Sequence, residues 1–132
     1  MERTFVLLKP ETIRRGLVGE IISRIEKKNF KIVDMKMMSL GEEIVREHYQ
    51  HIADKPFFVD TLNNMTSGPV IAMIIEGEDV VKAIRNMMGP TKWLDAPAGT
   101  IRGDYANNTT ENLIHGSDSV ENAEIEINRF FK

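Results

Sequence analysis

Val70-Ile71-Ala72-Met73-Ile74-Ile75 is the longest uninterrupted apolar run in the chain. A strand that is apolar on both faces is covered on both faces, so this run belongs at the centre of a sheet. It is far too short to span a membrane. Gly68-Pro69 supplies a turn just before it. After it, Val80, Val81, Ile84, Met87 and Met88 recur at helical spacing until Gly89-Pro90 stops them. On the N-terminal side, Glu42 to Ile52 reads as a helix with Ile44, Val45, His48, Tyr49 and Ile52 on one side. Pro56 interrupts, and Phe57 to Met65 forms another short helix. Earlier still, Val33, Met35 and Met37 alternate with Asp34, Lys36 and Met38, which predicts a strand with one buried face.

The ends complete the frame. Thr4 to Lys9 is a strand that stops at Pro10, which has no N–H to give a ladder. Leu17, Val18, Ile21, Ile22 and Ile25 form a helical stripe that closes near Asn29. Thr91 to Asn112 has little periodicity, and a long structureless loop in a compact domain is usually functional. Leu113 to His115 is a last short strand. Asp118 with Glu121 resembles a capping box that opens a helix burying Val120, Ala123, Ile127 and Phe130. The frame is βαββαβ with additions, the ferredoxin-like α+β arrangement. It predicts one domain over residues 1–132, a four-stranded antiparallel sheet, helices on one face, added helices and a long active-site loop.

Composition narrows the function. The net charge is −3, so the chain is a poor general binder of nucleic acid and no stable nucleic-acid partner is expected. There is no cysteine, which removes disulfides and thiolate chemistry. Met1-Glu2-Arg3-Thr4 leads straight into a strand, so neither a secretory leader nor a membrane span is expected and the default location is cytoplasmic.

The chemistry concentrates in Asn112-Leu113-Ile114-His115-Gly116-Ser117-Asp118-Ser119. A neutral imidazole is a competent nucleophile near neutral pH. Here it precedes a helix start whose free N–H groups favour phosphate. Gly116 removes bulk beside the ring, and Ser117 and Glu126 can orient it. Alternatively, His115 is a structural histidine bonded to a carbonyl. Lys9, Arg85 and Arg102 form an anion pocket if the fold brings them together, and are otherwise solvated charges. Neither a P-loop nor a Rossmann glycine pattern is present, so phosphate handling must rest on side chains. Phe57-Phe58 offers a platform for a base, while at least one of the two rings reads as core. His48 and His51 read as surface or packing residues, with no third ligand for a metal. Thr91 and Asn112 carry no local signal of their own.

Taken together, Thr4-Phe5 with Lys9-Pro10, His48-Tyr49, Pro56-Phe57-Phe58, Gly89 with Thr91, Gly99-Thr100-Ile101-Arg102-Gly103-Asp104-Tyr105 and Asn112 through Glu121 with Glu126 resemble a nucleoside diphosphate kinase along the whole chain. The resemblance implies a Mg²⁺-dependent, ping-pong transfer of the terminal phosphate of a nucleoside triphosphate, mainly ATP, to a nucleoside diphosphate, with broad base specificity. It implies that His115 is the nucleophile, phosphorylated on Nδ1. Lys9, Tyr49, Arg85, Thr91, Arg102 and Asn112 match the phosphate and ribose contacts, and Phe57 the base-stacking residue. Ser117 and Glu126 match the shell that supports the histidine. No protein metal site is implied, because Mg²⁺ rides mainly on nucleotide phosphates and water. A homo-oligomer, hexamer or tetramer, is implied as well. Lys92-Trp93, Pro97-Ala98 and Thr110-Glu111 depart from the common pattern, and Glu111 puts an acidic group next to the phosphate contacts. Two rivals remain: a nucleotide-binding module without turnover, and an RNA-binding module of the same fold class.

Overall fold

The computed structural model describes residues Met1–Lys132. Four strands, β1 (Glu2–Leu8), β2 (Lys31–Met38), β3 (Val70–Gly77) and β4 (Ile114–Gly116), form one antiparallel sheet in the order β2-β3-β1-β4. The apolar run lies in β3, an interior strand as its double-sided pattern requires. Seven helices accompany them: α1 (Pro10–Arg14), α2 (Val18–Lys27), α3 (Glu42–His48), α4 (Phe58–Met65), α5 (Val80–Met88), α6 (Ile101–Tyr105) and α7 (Val120–Phe131).

Alternation along β1 divides the interior in two. Val6 and Leu8 join Ile71, Met73 and Ile75 under Ile21 and Ile25 of α2 and Ile84 and Met88 of α5. Phe5 and Leu7 join Val70 and Ala72 under Val45 of α3, Phe58 and Met65 of α4 and Phe130 of α7. The two helices of the βαββαβ frame thus share one face, as expected, and the added helices cover the other.

Local structure departs from expectation in four places. Pro10 does not only end β1 but opens α1 at a position where its missing N–H costs nothing. β2 is a sheet edge with a register shift between Ile32 and Asp34. Its Met35 and Met37 are 49% and 61% exposed, so the apolar face predicted to be buried projects beyond the helices. The 91–112 segment is not structureless. It holds a 3₁₀ turn at Trp93–Asp95 and α6, whose N-cap Thr100 accepts a hydrogen bond from the Gly103 N–H at 3.0 Å. Finally, α7 is capped by Ser119, which accepts from the Asn122 N–H at 3.0 Å, and not by an Asp118 box. Val120 lies in that first turn and is 48% exposed, while Ala123 and Phe130 are buried.

Candidate active site

β4 brings the histidine into the sheet. His115 pairs with Leu7 of β1, so its side chain shares the face of Phe5 and Leu7, towards α3 and α7. Gly116 points the other way. A Cβ there would lie 2.5 Å from Met88 Sδ, so the glycine makes room for α5 and not for the imidazole. The residue before the strand is held tightly. Leu113 has φ of 79°, a conformation that costs a non-glycine residue free energy. Its N–H donates to Glu11 Oε2 at 2.9 Å, and its carbonyl accepts from Thr12 Oγ1 at 2.6 Å and from the Lys9 N–H at 2.9 Å. Glu11 and Thr12 are fully buried, and α1 thereby sets the approach to β4.

Glu126 of α7 reaches across to the histidine. Its Oε1 lies 3.0 Å from His115 Nε2 and accepts from Ser117 Oγ at 2.5 Å. Burial opposes ionisation of Glu126, but the bonds from His115 and Ser117 outweigh it and hold the carboxyl below the usual carboxylate range. An ionised carboxylate only accepts, so His115 Nε2 carries the hydrogen. In the neutral ring that leaves the lone pair on Nδ1, for which the protein provides no partner.

The histidine opens onto a cleft of about 930 Å³. Lys9, Tyr49, Phe57, Arg85, Thr91, Arg102 and Asn112 all line it, as does Glu126. The scattered cations therefore converge. Lys9 Nζ donates to the Thr110 carbonyl at 2.7 Å and to Asn112 Oδ1 at 3.0 Å. Burial lowers its pKa to about 8, against a raising effect of Glu11. Arg102 is 5% exposed and has no carboxylate partner. It donates to the carbonyls of Asn112, Gly89 and Ile114 at 3.3, 3.1 and 2.6 Å. Burial, then the charge of Arg85, lowers its pKa to about 10. Arg85 donates to the Gly116 carbonyl at 3.1 Å. Arg102 is thus a buried cation without a counter-ion, which is unfavourable unless an anion joins it, whereas Lys9 has Glu11 at 3.9 Å.

The two phenylalanines separate. Phe58 is buried in the core and Phe57 is 52% exposed at the cleft. Burial raises the pKa of Tyr49, which keeps its hydroxyl protonated. Glu111 does not line the cleft; it pairs with Arg14 at 3.2 Å. Ser117 is fully buried behind His115.

His48 is the correction. It is 6% exposed, and its ring centroid lies 4.4 Å from that of His115. One ring nitrogen of each histidine and one carboxylate oxygen of Glu126 all lie within 4.8 Å of each other, so the missing third ligand exists in space. Glu11, Thr12 and Arg129 were also missed. Helical spacing put His48 on the apolar side of α3, which was the available signal; Glu11 and Arg129 left none.

Comparison with known proteins supports the same picture. The family model described as nucleoside diphosphate kinase matches residues 2–132. A nucleoside diphosphate kinase of Acetivibrio thermocellus is 56% identical over 131 residues, covering 99% of this chain and 96% of the relative. One of Exiguobacterium sibiricum is 54% identical, covering 100% and 96%. The solved structure of a halophilic nucleoside diphosphate kinase from Halobacterium salinarum in complex with CDP superposes with a TM-score of 0.96. That pair is 49% identical, with 99% of this chain and 88% of that one covered. By sequence and by structure, then, the chain belongs to the nucleoside diphosphate kinase family.

Proposed function

We propose that this chain transfers the terminal phosphate of a nucleoside triphosphate to a nucleoside diphosphate through a phosphohistidine on His115. The observation that carries this reading is the Glu126–His115 pair. It holds the proton on Nε2 and leaves the Nδ1 lone pair as the nucleophile of a cleft lined by cations. Nδ1 attacks the terminal phosphorus, and the bond to the bridging oxygen breaks. The diphosphate then leaves with that electron pair. A second diphosphate reverses the step with its own terminal oxygen.

Lys9, Arg85 and Arg102 stabilise the charge on the transferring group. Asn112 positions Lys9, and Tyr49 and Thr91 contact the nucleotide as neutral donors. Phe57 stacks on the base, and because every base has a π-face the discrimination among bases is small. Ser117 and Glu126 position the histidine.

The cofactor of this reading is Mg²⁺. Asp118 and Glu126 are the carboxylates lining the cleft, and Glu126 is engaged by His115 and Ser117. Such a donor set fits an ion held mainly by nucleotide phosphates and water, with Asp118 within the same cleft. When bound, Mg²⁺ neutralises phosphate charge. We read the chain as one domain, cytoplasmic, where nucleotides are plentiful, and as a homo-oligomer, hexamer or tetramer. Exposed Met35, Met37 and Leu94 support the assembly.

A two-step labelling assay tests the activity. ATP labelled in its terminal phosphate and Mg²⁺ are incubated with the protein, free nucleotide is removed, and unlabelled GDP is added. An acid-labile, base-stable label that moves to GTP is expected. Nucleotide binding without any label on the protein would overturn the reading.

A further inference from the structure

His48 has surroundings that the phosphotransfer chemistry does not use. Its Nε2 is sealed from solvent and has no hydrogen-bond partner. Its Nδ1 lies 2.9 Å from Arg129 Nη1, and because a guanidinium only donates, this nitrogen accepts. With Nδ1 accepting, the ring is neutral and its hydrogen lies on the unpartnered Nε2. Glu126 is ionised beside it, and His115 completes the group.

We propose that His48, His115 and Glu126 form a site for a borderline divalent transition metal of the Zn²⁺ type, and that its occupation blocks phosphotransfer. Two imidazoles and one carboxylate are a donor set that zinc takes with a fourth position left to water. At bond lengths of about 2.0–2.1 Å, tetrahedral ligand atoms sit roughly 3.3 Å apart. His115 Nε2 and Glu126 Oε1 are at 3.0 Å, and no pair in the group exceeds 4.8 Å. A short closing movement of His48 is required, together with release of its Nδ1 from Arg129 so that the ring can offer a free lone pair. Mg²⁺ does not compete, because it demands six oxygen ligands and the group offers one carboxylate.

Arg129 opposes the metal, since it already holds a positive charge against His48. It also pairs with Glu47 at 3.1 Å, so on displacement it keeps a partner. Occupation inverts the tautomer of the nucleophile. The metal takes the Nε2 lone pair of His115 as the proton leaves that nitrogen and returns to Nδ1. The ring remains neutral, but Nδ1 now carries a hydrogen and cannot attack phosphorus. The blocking effect rests on His115 being the nucleophile; the binding of metal does not.

The experiment uses the full chain without nucleotide, titrated with Co²⁺ and then Zn²⁺. Visible absorption reports four-coordinate cobalt, and its loss reports displacement by zinc. One equivalent is expected to bind. His48→Phe and His48→Gln should each weaken binding at least tenfold, and Arg129→Met should strengthen it several-fold. A general folding defect would weaken all three. Phosphohistidine formation at saturating Mg²⁺ is then measured with added Zn²⁺, each protein being compared with its own zinc-free rate. The wild type should be inhibited and both His48 variants resistant. Only six-coordinate cobalt in the wild type, or affinities of both His48 variants within twofold of it, overturns the site. Metal binding that leaves labelling unaffected overturns the blocking role. Absence of label with Mg²⁺ alone would instead sink the phosphohistidine reading, and the cobalt spectra would still decide the metal site.

Discussion

Which nitrogen of His115 can react depends on a carboxylate eleven residues away in sequence. Glu126 accepts from His115 and Ser117 with the same oxygen, and this fixes the tautomer. His115→Ala should abolish transfer while nucleotide affinity stays largely intact, as measured by turnover and by equilibrium titration; turnover at the wild-type rate would refute the assignment. Glu126→Ala should lower kcat by at least about tenfold with KM little changed, because orientation and tautomer are lost but nucleotide contacts remain. Lys9 makes a pH-dependent prediction. Its folded-state pKa is about 8, below the ordinary lysine value, so in the free protein the cation is progressively lost as pH rises through 8. Since kcat/KM reports ionisations of the free enzyme, it should fall on an alkaline limb near pH 8. Lys9→Arg keeps the charge and should flatten that limb even if the rate is lower. Of these residues, His115 stood out from its local motif, and Lys9 and Asn112 entered through the family resemblance. Glu11, His48 and Arg129 were missed, because each acts through a partner distant in sequence, such as Leu113 for Glu11.

Helix and strand ends explain most of the differences at the next scale. The alternation in Lys31–Met38 is a strand signal, and a strand forms there. Periodicity does not say how far a neighbouring helix extends, however, and Met35 and Met37 remain exposed on an edge. Five-residue α6 is too short for any periodic pattern, although Thr100 was a usable cap signal. For α7, Ser119 and Asp118 compete for the cap, and the hydroxyl wins while Asp118 Oδ1 takes the Asn122 side chain at 2.6 Å. Ser119→Ala should therefore cost about 1 kcal/mol of stability in chemical denaturation. Asp118→Ala should cost less, since its bond is exposed and side chain to side chain. An equal loss in both would argue for a shared cap. The tie between α1 and β4 is stronger. Glu11→Ala leaves the buried Leu113 N–H without its acceptor, and a loss of roughly 2–3 kcal/mol is expected.

At the scale of the whole molecule, the sheet is covered on both faces, and His48 belongs to the α7 side of that sandwich. Its pKa is depressed from the ordinary histidine value to about 3, chiefly by burial. The unfolded chain consequently binds more protons than the folded one between about pH 6.5 and pH 3. Stability from this group is present above that window and is lost as pH falls through it, at up to ~1.4 kcal/mol per pH unit. Urea denaturation from pH 7 to pH 5 should show the decline in the wild type and a shallower one in His48→Phe; parallel curves would contradict it. The antiparallel four-stranded frame, its helices and the candidate histidine were legible because hydrophobic period and a short motif are local properties of a chain. What sequence by itself determined is that His115, Lys9, Arg85 and Arg102 are of the right chemical types in a βαββαβ frame. Only the tertiary structure decided that three cations 76 and 17 residues apart in sequence line one cleft, and that His48 and Glu126 close on the same imidazole. Charge, tautomer and ligand geometry depend on distances through space, and these exist only once α3, α7 and the sheet are packed.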